Sequence, residues 1–300
     1  MKKLSIHTAT YNRAYILSNA YESLKKQTVK DFEWLITDDG STDGTEALVN
    51  GWMSKDNGFD IIYNKLDHVG IPRALNSGVN KVNTEWFMLL DSDDYLFENA
   101  VECVLNWLEE IKDDMSFAGV GFARCFPDGK FMKNQIPKID PYIGYVDATN
   151  VERQKYNLDM DMCEAYRVKY LKQYPFECWE DEKFAPEQLG FNKMAFAGLK
   201  LRWRADKLYV CDYLEDGLTK SDRLVKNNPM GFVMMHNQNL LIDKNLKNSC
   251  YTICQMIALL YYKGNLKYIK NSNRKLLTIA LLPFGIALGI RRKMQYKKLS

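Results

Sequence analysis

Three hundred residues, 46% apolar and 26% charged, make a folded chain long enough for one large domain or two smaller ones, and exclude a disordered protein. The net charge of +3 conceals an asymmetry, because residues 244–300 hold twelve Lys or Arg and no Asp or Glu, leaving −9 on residues 1–243. The seven cysteines are odd in number and form no C-x-x-C pair, which speaks against a disulfide framework or a cysteine zinc site and fits core thiols in a reducing compartment.

The opening MKKLSIHTATYN has two lysines but an alternating apolar run, so it reads as a strand over Leu4–Thr8 rather than a secretory leader. Residues 14–26 place Leu17, Ala20, Tyr21 and Leu24 on one helical face. DFEWLIT (31–37) is the next strand, and Asp43 with Glu46 suggests a capping box for a helix running to about Met53. Strand 60–64, helix 72–80, strand 85–90 and helix 98–111 follow, giving a β-α alternation that predicts an α/β domain with a mainly parallel sheet.

After a strand at 117–124 the pattern loosens over 126–150 into hairpins or a binding loop. A helix-like segment at 167–174 precedes the acidic stretch PFECWEDEKFAPEQLGF (175–191), and 201–216 reads as strand and turn. From about residue 226 the character is helical. The expected organisation is therefore a domain over 1–225, with halves 1–125 and 126–225, and a basic helical extension over 226–300.

That extension contains fifteen uncharged residues, LLTIALLPFGIALGI (276–290), bracketed by Arg274 and Lys275 and by Arg291, Arg292 and Lys293. As a helix they would span roughly 22 Å against a hydrocarbon core of roughly 30 Å, and Pro283 interrupts them. A segment lying in the membrane interface, held by basic flanks at anionic headgroups, is the leading reading, with a buried core helix as the alternative. Nucleic acid is not the expected partner, since the basic residues flank an apolar run instead of interleaving with stacking aromatics.

Four polar turns follow successive strands: TYNR (10–13), DDGSTD (38–43), GIPRALNSG (70–78) and DSDD (91–94). Carboxyl ends of parallel strands face one crevice, so the four can line one ligand site. The three carboxylates Asp91, Asp93 and Asp94 repel each other by about 1 kcal/mol per pair in water and more where water is excluded, so something positive belongs beside them. A hard cation such as Mg²⁺ or Mn²⁺ completed by phosphate oxygens fits, and a plain helix cap remains an alternative for Asp94.

TATYNRAYIL, TDDGSTDGT, RALNSG and LLDSDD together resemble the bacterial family 2 glycosyltransferases of the GT-A fold, continuously over residues 4–112. The resemblance implies inverting transfer of a sugar from a nucleotide-diphosphate donor, usually a UDP-sugar, with a divalent metal. It implies that Thr10 and Tyr11 border the nucleotide and that Asp39 reads the base edge. Asp91, Ser92 and Asp93 form the D-x-D segment, with Asp93 as main metal ligand and Asp91 towards ribose and phosphate. Relatives carry Arg directly before the Asn matching Asn76, where this chain has Leu75, so Arg73 is the substitute diphosphate contact. Of the three histidines, His68 alone falls near the donor loop, and His7 and His236 read as structural or surface groups.

An acceptor hydroxyl must lose its proton as it attacks, which requires a general base. The family's E-D pair matches Glu180 and Asp181, making Asp181 the base and Glu180 its neighbour; a helix N-terminus near Lys183 would also suit these acids. Asp159, Asp161 and Glu164 rank second, and Trp179 offers either a sugar-stacking ring or core packing. The expected partners are the donor, a glycan or polyprenyl-diphosphate-linked acceptor in surface polysaccharide synthesis, and the inner leaflet of the cell membrane through residues 265–300. A homo-oligomer is admitted, since nothing in the sequence fixes the number of copies. The rival readings are a non-catalytic sugar-nucleotide-binding or membrane scaffold protein, and a sugar nucleotidyltransferase. The second would need a glycine-rich phosphate loop after the first strand, which TATYNRAY lacks.

Overall fold

The computed structural model describes residues 2–211 and 222–298, so the end of the 201–216 segment lies outside the described residues. Contacts divide the chain into two compact units, Met1–Phe176 with Gly190–Tyr213, and Glu177–Leu189 with Leu214–Ser300, where the sequence pattern suggested one boundary near 225.

The first unit is built on one mixed sheet. Its strands are β1 (Leu4–Thr10), β2 (Phe32–Asp38), β3 (Asp60–Lys65), β4 (Trp86–Leu89), β5 (Tyr95–Leu96), β6 (Phe117–Cys125), β7 (Val146–Ala148), β8 (Met162–Arg167) and β9 (Lys200–Val210). Along the sheet the order is β3-β2-β1-β4-β8-β6-β9-β5, with β7 on β9. β3, β2, β1 and β4 are parallel to one another, and β6 is parallel to β9, whereas β8 runs antiparallel to both β4 and β6. The mainly parallel sheet is thus as the β-α alternation predicts. β1 and β2 are buried along nearly their whole length, as central strands covered on two faces must be.

Helices α1 (Ser18–Lys25), α2 (Thr45–Met53), α3 (Ile71–Lys81) and α4 (Ala100–Ile111) connect the first strands, each within a few residues of its predicted span. The capping box does not form. Asp43 Oδ1 instead accepts the N–H and hydroxyl of Thr45, Asp43 Oδ2 accepts the Ala14 N–H, and Glu46 pairs with Lys65. Asp43 serves two loops at once, which a box closed on its own helix would not allow.

α3 lies on β1 through a glycine. A Cβ at Gly78 would sit 2.4 Å from His7 Nε2, so the GIPRALNSG segment needs a residue without a side chain there. His7 is fully buried beneath it, with Nε2 2.9 Å from Thr37 Oγ1, and burial lowers its pKa to about 3.

Of the 126–150 stretch, Val146–Ala148 pairs antiparallel with β9. α5 (Val168–Gln173) and α6 (Gln188–Phe196) follow, and no helix starts near Lys183. The second unit carries α7 (Asp222–Asn227), α8 (Pro229–Ile242), α9 (Leu246–Lys263), α10 (Lys275–Ala280) and α11 (Leu282–Lys297). Its cores gather Met230, Val233, Met256, Leu259 and Leu260, and separately Leu240, Ile253 and Ile257. Among the described residues no helix is long and apolar enough to cross a membrane.

Gly78→Ala should lower stability by about 1–3 kcal/mol, the usual cost of forcing a methyl into a packed core, measured as a shift in urea midpoint. His7 gives a second outcome. The unfolded chain binds its proton below about pH 6.5 and the folded chain only near pH 3, so stability should fall as pH drops through that window. His7→Gln should flatten the fall in urea midpoint between pH 6.5 and 5, and an unchanged slope would remove His7 as its source.

Candidate active site

The turns after β1 and β2 are stitched into one surface. Asn12 N–H donates to Ser41 Oγ at 2.8 Å, and Thr42 N–H donates to Asn12 Oδ1 at 2.8 Å. Asp39 N–H donates to the Thr10 carbonyl at 2.8 Å, which sets the second turn against the end of β1. Gly40 lies at φ +86° with its missing Cβ 2.9 Å from the His68 backbone N, a place and a conformation that suit glycine.

Asp39 is buried, and its carboxylate holds the loop before α3, with Oδ1 accepting Val69 N–H at 2.7 Å and Oδ2 accepting Gly70 N–H at 2.9 Å. Oδ1 keeps a second lone pair beyond this bond. His68 Nδ1 is 3.3 Å from Asp39 Oδ2, and its ring stacks on exposed Tyr11 at 4.1 Å between centroids and 17°. Tyr11, Asp39 and His68 therefore form one platform. The Thr10 hydroxyl, buried at the end of β1, makes no hydrogen bond.

Arg73, at the start of α3, donates Nη1 to the Val69 carbonyl at 2.9 Å. Asn76 is bonded on both sides to the backbone of Phe176, its amide donating to the carbonyl at 2.8 Å and its Oδ1 accepting the N–H at 3.0 Å.

The D-x-D segment follows β4 as a turn, with Asp94 N–H donating to the Asp91 carbonyl at 3.3 Å and Ser92 buried within it. The positive group beside these carboxylates is one that sequence reasoning missed. Arg124, at the end of β6, places Nη1 2.7 Å from Asp91 Oδ2 and 3.6 Å from Asp94 Oδ2. Its guanidinium lies over the ring of Tyr209 from β9 at 4.2 Å, and the Tyr209 hydroxyl donates to Asp91 Oδ2 at 3.2 Å. The only sequence signal was an arginine ending the strand FAGVGFAR. Asp94 is no helix cap, because α4 begins at Ala100 with Asn99 at its N-cap. Burial, then the charge of Asp91, pushes its carboxyl up to about 8 against the opposing pull of Arg124. Asp93 is set apart from this network, its Oδ2 4.0 Å from Arg13 Nη1 and its side chain 24% exposed.

Among the described residues no three His, Cys, Asp or Glu side chains are placed to hold a metal by themselves. The donors present nevertheless suit Mg²⁺ or Mn²⁺, which use one or two carboxylates and take their remaining oxygens from phosphate and water. Asp91 and Asp93 are the two carboxylates of the turn that could contribute to such a set.

Glu180 and Asp181 belong to the second unit, apart from the residues above in the division of the chain. Asp181 is well exposed, and Lys263 Nζ, 2.7 Å from its Oδ2, holds its carboxyl below the usual range. Glu180 is exposed. Glu182 is fully buried and accepts the N–H groups of Met230 and Gly231 at 2.9 and 2.8 Å, so the acid at a helix N-terminus is Glu182 on α8 and not Asp181 on a helix from Lys183. Trp179 packs edge-on to Tyr268 beside the core around Met230, which favours its packing role. Glu164 on β8 is buried and faces Arg153 at 3.7 Å.

With this geometry in view, the sequence pattern described as Glycosyl transferase family 2 matches residues 5–175, more than half of the chain. The chain belongs to glycosyl transferase family 2. A poly(ribitol-phosphate) β-N-acetylglucosaminyltransferase, TarP of Staphylococcus aureus, is 32% identical over 148 residues, 47% of this chain and 44% of that protein. A GalNAc(5)-diNAcBac-PP-undecaprenol β-1,3-glucosyltransferase of Campylobacter jejuni is 30% identical over 110 residues, 37% of this chain and 36% of that protein. The matches thus span less than half the length of these relatives. The crystal structure of S. aureus TarS 1–349 in complex with UDP-GlcNAc has a TM-score of 0.62 at 15% identity, covering 99% of this chain and 92% of that one, a likeness of fold. In this family 2 chain the matched stretch contains every residue of the platform and of the D-x-D turn; Tyr209, beneath Arg124, lies beyond it.

Arg124→Gln should destabilise the protein by about 3 kcal/mol, because it removes the cation that packs on Tyr209 and pairs with Asp91 and buried Asp94, whereas Asp93→Asn, with Arg13 at 4.0 Å, should cost under about 1 kcal/mol. Paired urea titrations compare the two, and equal losses would show that Arg124 does not carry the cluster.

Proposed function

We propose that this family 2 chain is an inverting glycosyltransferase that moves a sugar from a nucleotide-diphosphate donor, a UDP-sugar, to a glycan or lipid-linked acceptor in bacterial surface polysaccharide synthesis. The observation that carries the reading is the gathering of Thr10, Tyr11, Asp39 and the D-x-D turn at the carboxyl ends of β1, β2 and β4, with a buried Thr10 hydroxyl still lacking a partner. The UDP-GlcNAc of the TarS complex and the acceptors named for TarP and the C. jejuni enzyme support the donor and acceptor classes.

In this reading Tyr11 and His68 supply a stacking face for the base, Asp39 accepts from its edge, and Thr10 bonds the nucleoside. Asp93, with Asp91, would hold the divalent cation, which when bound neutralises charge developing on the leaving diphosphate. The acceptor oxygen attacks the anomeric carbon with its lone pair, its proton passes to the carboxylate of Asp181, and the bond to the diphosphate breaks with the electron pair leaving on UDP. The configuration at carbon inverts. Lys263 keeps Asp181 ionised, which is the form a base needs. Arg73 contacts the diphosphate, and Ser92 binds the donor from within the D-x-D turn. The chain works as a peripheral protein on the cytoplasmic side.

Incubation with UDP-sugars and Mn²⁺, scored by UDP release, tests the assignment. Asp93→Ala should lower turnover at least about 100-fold, and Asp181→Asn by about 100- to 10,000-fold with UDP affinity within about twofold of wild type. Full turnover in Asp181→Asn would remove it as the base. Absence of UDP release in the wild type with every donor, while UDP still binds, would favour the non-catalytic reading.

A further inference from the structure

α11 has two faces of different character. One closes on α9: a Cβ at Gly285 would lie 2.4 Å from Ile257 Cβ, one at Gly289 2.9 Å from Tyr261 Cβ, and Tyr296 meets Tyr262 edge-on at 4.9 Å. The other face is open, with Phe284 67%, Ile290 45% and Met294 57% exposed. Across the break at Leu281, α10 adds Leu276 at 86% and Ile279 at 60%. Five large apolar side chains in solvent along two consecutive helices exceed the single exposed apolar residues of an ordinary surface.

We propose that this face of α10 and α11 docks in the headgroup layer of an anionic phospholipid bilayer, with the helices lying along the surface. Charge selects that occupant. Arg291 and Lys298 follow Phe284, Ala287 and Met294 at the three-, four- and seven-residue steps of one helical face, and both are exposed. Residues 244–300 contain no acidic side chain, so no carboxylate of this tail repels an anionic surface. A second copy meeting the same face would set these cations against each other. Among the described residues no helix is long and apolar enough to cross a membrane, and α11, with sixteen residues, is roughly 24 Å long against a hydrocarbon core of roughly 30 Å. An apolar face seated at the acyl boundary with basic residues reaching phosphate is the arrangement of interfacial helices. The inference uses no part of the glycosyl-transfer reading, and UDP release measured without vesicles reports on that reading separately.

Flotation of the intact chain with phosphatidylcholine vesicles, with and without phosphatidylglycerol, tests it. Binding should require phosphatidylglycerol and weaken as salt is raised. The triple variant Leu276→Ser, Phe284→Ser, Met294→Ser should lose flotation. Arg291→Gln with Lys298→Gln should weaken it about twentyfold, at roughly fivefold per basic residue near the surface. Both variants alter exposed side chains, so their circular dichroism and melting temperature should match wild type. Unchanged flotation in the two variants, or equal binding to neutral and anionic vesicles, would overturn the proposal. So would a wild-type dimer that the serine variant dissolves, with no vesicle binding, since the face would then be an interface between copies.

Discussion

Acidic groups crowded at the end of a buried strand repel one another, and Arg124 offsets that repulsion from across the sheet. Asp91 and Asp94 follow β4, whereas Arg124 ends β6 and Tyr209 ends β9, so the neutralising group comes from beyond an intervening strand. β8 fills that gap antiparallel to both neighbours, and Arg124 Nε donates to its Met162 carbonyl at 3.1 Å. The requirement for charge balance at one turn thereby ties the order of four strands to the position of the site. Asp93 lies on the side of the turn where Arg13 approaches, its Oδ2 4.0 Å from Nη1.

The first half of the fold was legible because its strands are apolar runs of ordinary length between turns with glycine and aspartate. β8 was not. MCEAYR places Glu164 and Arg167 inside a central strand, which breaks the apolar alternation that marks strands in sequence. Both charges are absorbed by partners: Arg167 binds the carbonyls of Phe117, Ile111 and Lys112 and pairs with Glu85, all far along the chain, and Glu164 faces Arg153 eleven residues before it. A pattern window cannot contain the partners of Arg167. β5 and β7 are two and three residues long, too short for any periodicity to show.

The same distinction runs through the site. Thr10, Tyr11, Asp39 and the D-x-D turn were singled out because they fall in the strand-end turns that carry the family resemblance, Thr10 itself being the last residue of β1. Their contacts with one another follow from the parallel register, with Thr10 opposite Asp38 across β1 and β2. Arg124, Tyr209 and the stack of His68 on Tyr11 were missed or undervalued. Each depends on a pairing that the order of residues does not encode, and for His68 on a left-handed backbone at φ 54° that no local signal announced.

Three adjacent acids in the second unit show how packing, more than composition, assigns work. Glu180, Asp181 and Glu182 are chemically near-equivalent in sequence, yet Glu182 alone is driven inside, where two backbone N–H groups at the start of α8 receive its carboxylate. Burial raises its pKa, the two N–H bonds and Lys263 oppose that rise, and α8 cannot shed the contact without leaving a buried carboxylate unsatisfied. Gly231 makes the approach feasible, since a Cβ there would lie 2.5 Å from the Phe184 carbonyl oxygen. Asn228 continues the fastening by accepting the N–H groups of Lys183 and Phe184, both at 3.0 Å. The segment is therefore pinned immediately after Asp181, whose own side chain stays largely in solvent and pairs with Lys263. Packing thus leaves Asp181 exposed and paired with Lys263 on a backbone fixed by its neighbours, while Glu182 is committed to the start of α8.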